Sequence, residues 1–144
     1  MADLNAVYSS WSPRLLSILR IVTGFLIMQH GSPKLFGVPA GAQPAPTQTA
    51  FSLLWFAGVL EVFGGLLILL GLFTRPVAFI LAGEMAVAYF MAHATNGFWP
   101  LLNRGELAAL YCFVFLYLSA AGGGPWSIDN LWRRNETARD SVTV

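Results

Sequence analysis

Residues 51–73 read FSLLWFAGVLEVFGGLLILLGLF, and Glu61 is the one charge in the run. A helix that crosses a bilayer needs about 20 predominantly apolar residues. The stretch therefore predicts a transmembrane helix, and its neighbours repeat the pattern. Upstream, Leu15 to Phe36 predicts a first span, interrupted by Arg20, Gln29, His30 and Lys34. Pro33 predicts a bend or an end near that point. Between the two spans, Gly37 to Ala50 carries Pro39, Pro44 and Pro46 and no charge, as a loop would. Downstream, Thr74-Arg75-Pro76 is a tight connection into a third span, Val77 to Ala94, with Glu84 inside it. A polar and aromatic turn, Thr95 to Arg104, leads to a fourth span, Gly105 to Ala121, which stops at Gly122-Gly123-Gly124-Pro125. In the remainder, Trp126, Ile128, Leu131 and Trp132 can lay a short amphipathic turn on a membrane surface.

Composition agrees with this reading. Of 144 residues, 56% are hydrophobic and 10% charged, and the mean hydropathy is +0.63. Soluble domains carry about 25% charged residues. So few charges cannot coat a water-facing surface, which excludes a soluble enzyme, a disordered tail and a nucleic-acid binder. A net charge of +1 implies no polyanionic partner. The expected architecture is an all-α, four-helix transmembrane bundle. Residues 1–14 form an N-terminal segment, 15–122 the membrane domain and 123–144 a tail. Arg14, Arg75, Arg133, Arg134 and Arg139 fall at one end of such a bundle, and Lys34 and Arg104 at the other. The positive-inside rule then places both termini in the cytoplasm. The residues before the first span lack the basic region and cleavage site of a signal peptide. A single cysteine, Cys112, provides neither a disulfide nor a CxxC redox pair, and no metal-ligand cluster is evident.

The scarce charges inside the spans are the functional candidates, because ionisable groups at membrane depth are expensive. At a rise of about 1.5 Å per residue, Glu61 and Glu84 both lie roughly 15 Å below the outer boundary. Arg20 lies within about 3 Å of the level of Glu84. The expected ion pair is therefore Arg20 with Glu84, with Glu61 as the competing partner. One arginine neutralises one glutamate. The other must carry a proton or meet water, a histidine or a ligand. Such a set either handles protons or polar ligands, or fixes helix register. A second polar group, Gln29, His30, Lys34, His93, Asn96, Asn103, Arg104 and Glu106, lies nearer the outside. Glycines on the Arg20–Lys34 face of the first span leave room for a partner helix or a flat ligand. His30 is expected about 9 Å deep and His93 near the boundary, a mismatch that speaks against haem ligation.

Several stretches together resemble the DoxX family of small four-span bacterial membrane proteins. They are Leu19-Arg20-Ile21-Val22 with Gly24, Gln29 to Gly37, Gly58 to Gly65, Leu70 to Arg75, Asn96 to Pro100, Gly105 to Tyr111 and Pro125 to Asp129. The resemblance covers roughly Leu15 to Asp129. It implies a redox association: some members are linked to quinol oxidation, others to oxidative-stress systems. The residues it carries over are Arg20, His30, Lys34, Glu61, Arg75, Asn96, Glu106 and Asp129; Glu84 rests on depth alone. Having only Cys112, the chain departs from dithiol-exchanging modules. Three functions follow as expectations. The first is an accessory subunit of a quinone-linked oxidoreductase, holding a quinone or similar ligand at Arg20, His30, Lys34, Glu61, Glu84, Asn96 and Glu106. The second is a non-catalytic subunit that docks a redox-enzyme partner or a second copy of itself. The third is a permeation path for a small solute or proton, disfavoured by the absence of an inverted repeat.

Overall fold

A computed structural model describes residues 2–41 and 47–140. Among them every regular element is helical. Helix α1 spans Ala2–Phe36. It starts well before the expected first span and continues through Pro13 and Pro33, which membrane helices tolerate when neighbours re-satisfy the freed backbone. It ends three residues after Pro33, where Gly37 takes a left-handed φ of +69°. Pro44 and Pro46 of the expected loop lie outside the described residues.

The second apolar helix, Leu53–Leu70, is built from three consecutive pieces. They are α2 (Leu53–Val59), a π-helical turn (Leu60–Gly64) and α3 (Gly65–Leu70). The Ser52 hydroxyl caps its start by accepting from Trp55 N at 3.2 Å. The third, Thr74–Asn96, is α4 (Thr74–Ala88), a second π-helical turn (Tyr89–His93) and a 3₁₀ turn (Ala94–Asn96). A single helical turn, α5 (Pro100–Asn103), interrupts the expected polar connection. Helix α6 (Glu106–Ala121) follows, and α7 (Ile128–Asp140) extends the expected amphipathic turn into a helix. Among the described residues three helices are long and apolar enough to cross a membrane: Leu4–Phe36, Leu53–Leu70 and Thr74–Asn96. Helix α6 is apolar but shorter.

Helix α1 packs antiparallel along the second helix, and α4 packs along α6. The first pairing depends on glycine. A Cβ on Gly24 would stand 2.8 Å from Gly65 O, and one on Gly31 would stand 2.8 Å from Gly58 O. Backbones this close need residues without side chains. The glycine face of α1 thus meets a partner helix, the first of the two occupants expected for it. Ile27, Ile68, Leu81, Phe115 and Leu118 form the centre of the core. Phe25, Phe79 and Phe113 are more than half exposed, while Arg20, Lys34 and Glu61 are buried. Large apolar groups outside and charges inside suit a hydrocarbon solvent.

Arg20 corrects the expected ion pairing. It is fully buried and pairs with neither Glu84 nor Glu61. Its Nε donates to Gly123 O at 2.8 Å, and its two terminal nitrogens donate to Ile68 O and Trp126 O, each at 2.6 Å, and to Leu69 O. The depth estimate compared Cα levels, but helical side chains lean toward their helix N-terminus. Arg20 therefore reaches away from mid-bundle, to the end of α3 and the turn before α7. At this same end Asp129 accepts from Phe73 N at 2.8 Å and Thr74 N at 2.9 Å, capping α4. Arg75 donates to the Ser119 and Ala120 carbonyls at the end of α6.

An unsatisfied buried carbonyl costs about 1–3 kcal/mol, and Arg20→Ala leaves several. Thermal unfolding in mild detergent should show a loss above about 3 kcal/mol for Arg20→Ala, only partly restored in Arg20→Lys. The exposed Arg75→Ala should cost no more than about 1 kcal/mol. Equal losses for the two alanine variants would contradict this assignment.

Candidate functional site

At the opposite end of the bundle the helices part around a cavity of about 530 Å³. Helix α1 supplies Ile27, His30 and Lys34 to its wall, and the second helix supplies Leu54 and Glu61. The third helix supplies Met85, Ala88, Ala92 and His93, and α6 supplies Leu107, Ala108 and Tyr111, with Arg104 at the turn before it. Both π-helical turns among the described residues reach this wall, one through Glu61 and the other through Ala92 and His93. Such turns displace the helical register by one residue and recur at functional sites.

The polar centre is an ion pair. Lys34 Nζ donates to Glu61 Oε2 at 2.5 Å, with the two side chains 11% and 4% exposed. Antiparallel packing explains how residues from different levels meet. Lys34, near the end of α1, leans back toward mid-bundle, whereas Glu61 leans toward the start of its own helix. They converge beside Gly31 and Gly58, where nothing bulkier fits: a Cβ on Gly58 would stand 2.9 Å from Lys34 Cβ. Glu61 thus takes its cation from the group expected nearer the outside. Glu84 lies close enough to feel the charges of Glu61 and Lys34. Both of its carboxyl oxygens are buried without a hydrogen-bond partner.

Aromatic and imidazole groups complete the wall. The rings of His30 and Tyr111 meet edge to face, centroids 5.9 Å apart. His93 Nδ1 faces Asn103 O at 3.1 Å. A carbonyl can only accept, so Nδ1 carries the proton and Nε2 remains as the ring's second polar atom. Asn103 is itself fixed, donating to Gly97 O and accepting from Gly105 N, each at 2.8 Å. The two histidines line one cavity although their residue levels differ.

Of the residues expected to form a site, His30, Lys34 and Glu61 line the cavity, and Glu84 stands beside the ion pair. Arg20 belongs to the far end. Asn96 is exposed and donates to Ala92 O in its own helix at 2.9 Å. Glu106 is exposed in the first turn of α6, where a negative charge favours the helix dipole. Tyr111 was missed as a site residue. A tyrosine inside an apolar span is the signal that marks it, since its hydroxyl needs a polar neighbour. Cys112 is half-buried against the core. Among the described residues no three His, Cys, Asp or Glu side chains gather as metal ligands would.

Removing one partner of a buried ion pair leaves an uncompensated charge, whereas removing both is far cheaper. Lys34→Met and Glu61→Gln should each destabilise the protein in detergent. The double variant should recover at least about 1 kcal/mol relative to the sum of the two. Additive losses would show that the groups are not coupled.

The family model described as DoxX matches residues 15–94. A protein of Haemophilus influenzae named only "Uncharacterized protein" is 42% identical over 123 residues, covering 83% of this chain and 92% of its own length. An uncharacterized membrane protein of Mycobacterium tuberculosis is 30% identical over 165 residues, covering 96% and 98%. No solved structure matches. The matched segment runs from before Arg20 to just beyond His93, and so contains Lys34, Glu61 and Glu84. The chain belongs to the DoxX family of membrane proteins.

Proposed function

We propose that this DoxX-family chain binds a quinone, or a ligand with the same polar head and apolar body, in the cavity between its helices. The observation that carries this reading is the cavity's composition. A buried Lys34–Glu61 pair and the polar groups of His30, His93 and Tyr111 share one wall system with Ile27, Leu54, Met85 and Leu107. Its volume falls within the range of small-molecule sites, about 300–1,000 Å³. A quinone head group presents carbonyl acceptors. Lys34 Nζ and the Tyr111 hydroxyl are donors for them, and the apolar residues suit the ring face and tail. Electrons that interconvert quinone and quinol come from a partner redox subunit; this chain seats the head group.

In this reading the chain is a multi-pass protein of the bacterial cytoplasmic membrane with α6 as a fourth span. Its 16 residues rise about 24 Å, and the polar turns on either side complete the crossing. Both termini are cytoplasmic. Arg14, Arg75, Arg133 and Arg134 gather at the end where α1 begins, and Lys34 and Arg104 sit at the cavity end. The side chain of Arg139 lies outside the described residues.

Equilibrium titration of the purified protein with a short-chain quinone analogue should give saturable binding. Glu61→Gln and His30→Ala should weaken it by about tenfold, the loss of roughly one hydrogen bond. No saturation, or unchanged affinity in both variants, would reject the proposal. Orientation has its own measurement. In a Cys112→Ser background, an impermeant thiol reagent applied from the periplasmic side should label Gly41→Cys and spare Asn135→Cys. The reverse pattern would overturn the topology.

A further inference from the structure

Three charged groups meet beside the cavity, and their charges do not cancel. Lys34 and Glu61 form a direct ion pair. Glu84 adds a second carboxyl within the field of both. Each of its oxygens is buried, and neither accepts a hydrogen bond. Helix α4 carries it between the second helix and α6. The second helix contributes Glu61, and Lys34, held on Glu61 from α1, also acts on it. Helix α6, packed along α4, brings Tyr111 and Cys112 at mid-length, and neither is bonded to Glu84. The π-helical turn that continues α4 adds Tyr89 and His93, the latter tied to Asn103.

We infer that Glu84 is the proton-binding site of this cluster: it holds one exchangeable proton beside the Lys34–Glu61 pair that lines the cavity. Two carboxylates and one ammonium would leave a net negative charge in a low-dielectric interior. One added proton makes the set neutral. It resides on Glu84, because Glu61 already has Lys34 as its counter-charge. A carboxylate without donors is among the costliest groups to bury, whereas a neutral carboxyl costs far less. Its oxygens are closed to solvent, and no donor among the described residues faces them. The role does not depend on which ligand enters the cavity. A ligand that draws Lys34 away leaves Glu61 unbalanced, and the balance is restored by one further proton from the cavity. A ligand that gains negative charge there is matched by the proton that Glu84 holds.

Infrared spectroscopy of the full chain in lipid vesicles at neutral pH tests this without any ligand. A protonated carboxyl gives a C=O stretch resolved from carboxylate bands, and it shifts when D₂O replaces H₂O. Glu106 and Glu136 do not interfere, being solvent-exposed, nor does Asp129, which accepts two backbone N–H groups. Wild type should show one such band with the deuterium shift. Glu84→Gln should abolish it, and Glu84→Asp should keep it at a displaced frequency, which guards against misfolding of the glutamine variant. Lys34→Met should add a second band as Glu61 loses its cation. Absence of the band in wild type, its survival in Glu84→Gln, or its failure to shift in D₂O over hours would each overturn the inference.

Discussion

The guanidinium of Arg20 holds together chain segments that no apolar contact could align. It is fully buried and donates to carbonyls at the end of α3 and in the turn between α6 and α7. A charge in hydrocarbon is tolerable only where fixed dipoles answer it. The last carbonyls of a helix are such a place, since they lack partners within the helix and carry its negative pole. Asp129 supplies the nearest opposite full charge. The planar fork of arginine can reach carbonyls on separate segments at once, which a lysine ammonium cannot. Gly71 shows how closely the turn is drawn in. Its φ is +69°, and a Cβ there would stand 2.9 Å from Arg20 Cζ. Asp129 and Arg75 extend the same principle to the start of α4 and the end of α6, so that this end of the bundle is closed by side-chain caps.

The other end is organised differently. There both π-helical turns reach the wall of a cavity, and the buried charges pair with each other beside it. Glycine contacts between α1 and the second helix run between the two ends, from Gly24 with Gly65 to Gly31 with Gly58. They fix the register that sets Lys34 opposite Glu61. A shift of one residue along either helix would turn one of the two charges out of the interface. The rigid end therefore sets the geometry of the polar one.

This division explains what could be read from residues alone. The apolar runs located the later helices closely: α6 begins one residue from the expected boundary, and the third apolar helix encloses the stretch expected for it. The depth argument found Glu61 and Glu84 as buried charges, and it found Arg20 as buried too. It assigned the wrong partner because residue counting measures Cα levels and ignores the lean of each side chain. That lean separates Arg20 from the glutamates and brings Lys34 to Glu61. The π-helical turns leave no trace in hydrophobic periodicity, since one extra residue per turn is lost within a uniformly apolar run. The neighbourhood of His30, His93 and Tyr111 could not be foreseen either, because it brings together three separate helices whose relative rotation residue counting does not give.

The family pattern sorts differently once the geometry is known. As a set of motif residues, Arg20, Lys34, Glu61, Arg75 and Asp129 look equivalent. In space they are two sets with different physics. Arg20, Arg75 and Asp129 satisfy backbone groups at helix ends. Lys34 and Glu61 satisfy each other beside a space large enough for a ligand. Loss of the buried Arg20 acts on the folded state as a whole, so it removes every property of the protein together, whereas loss of the exposed Arg75 costs little. Loss of a cavity residue breaks none of the capping bonds and acts on a local charge balance, through which either half of the ion pair also affects stability. A variant's loss of function therefore identifies a ligand site in this bundle only when the altered residue lies at the cavity end and the capped end remains folded.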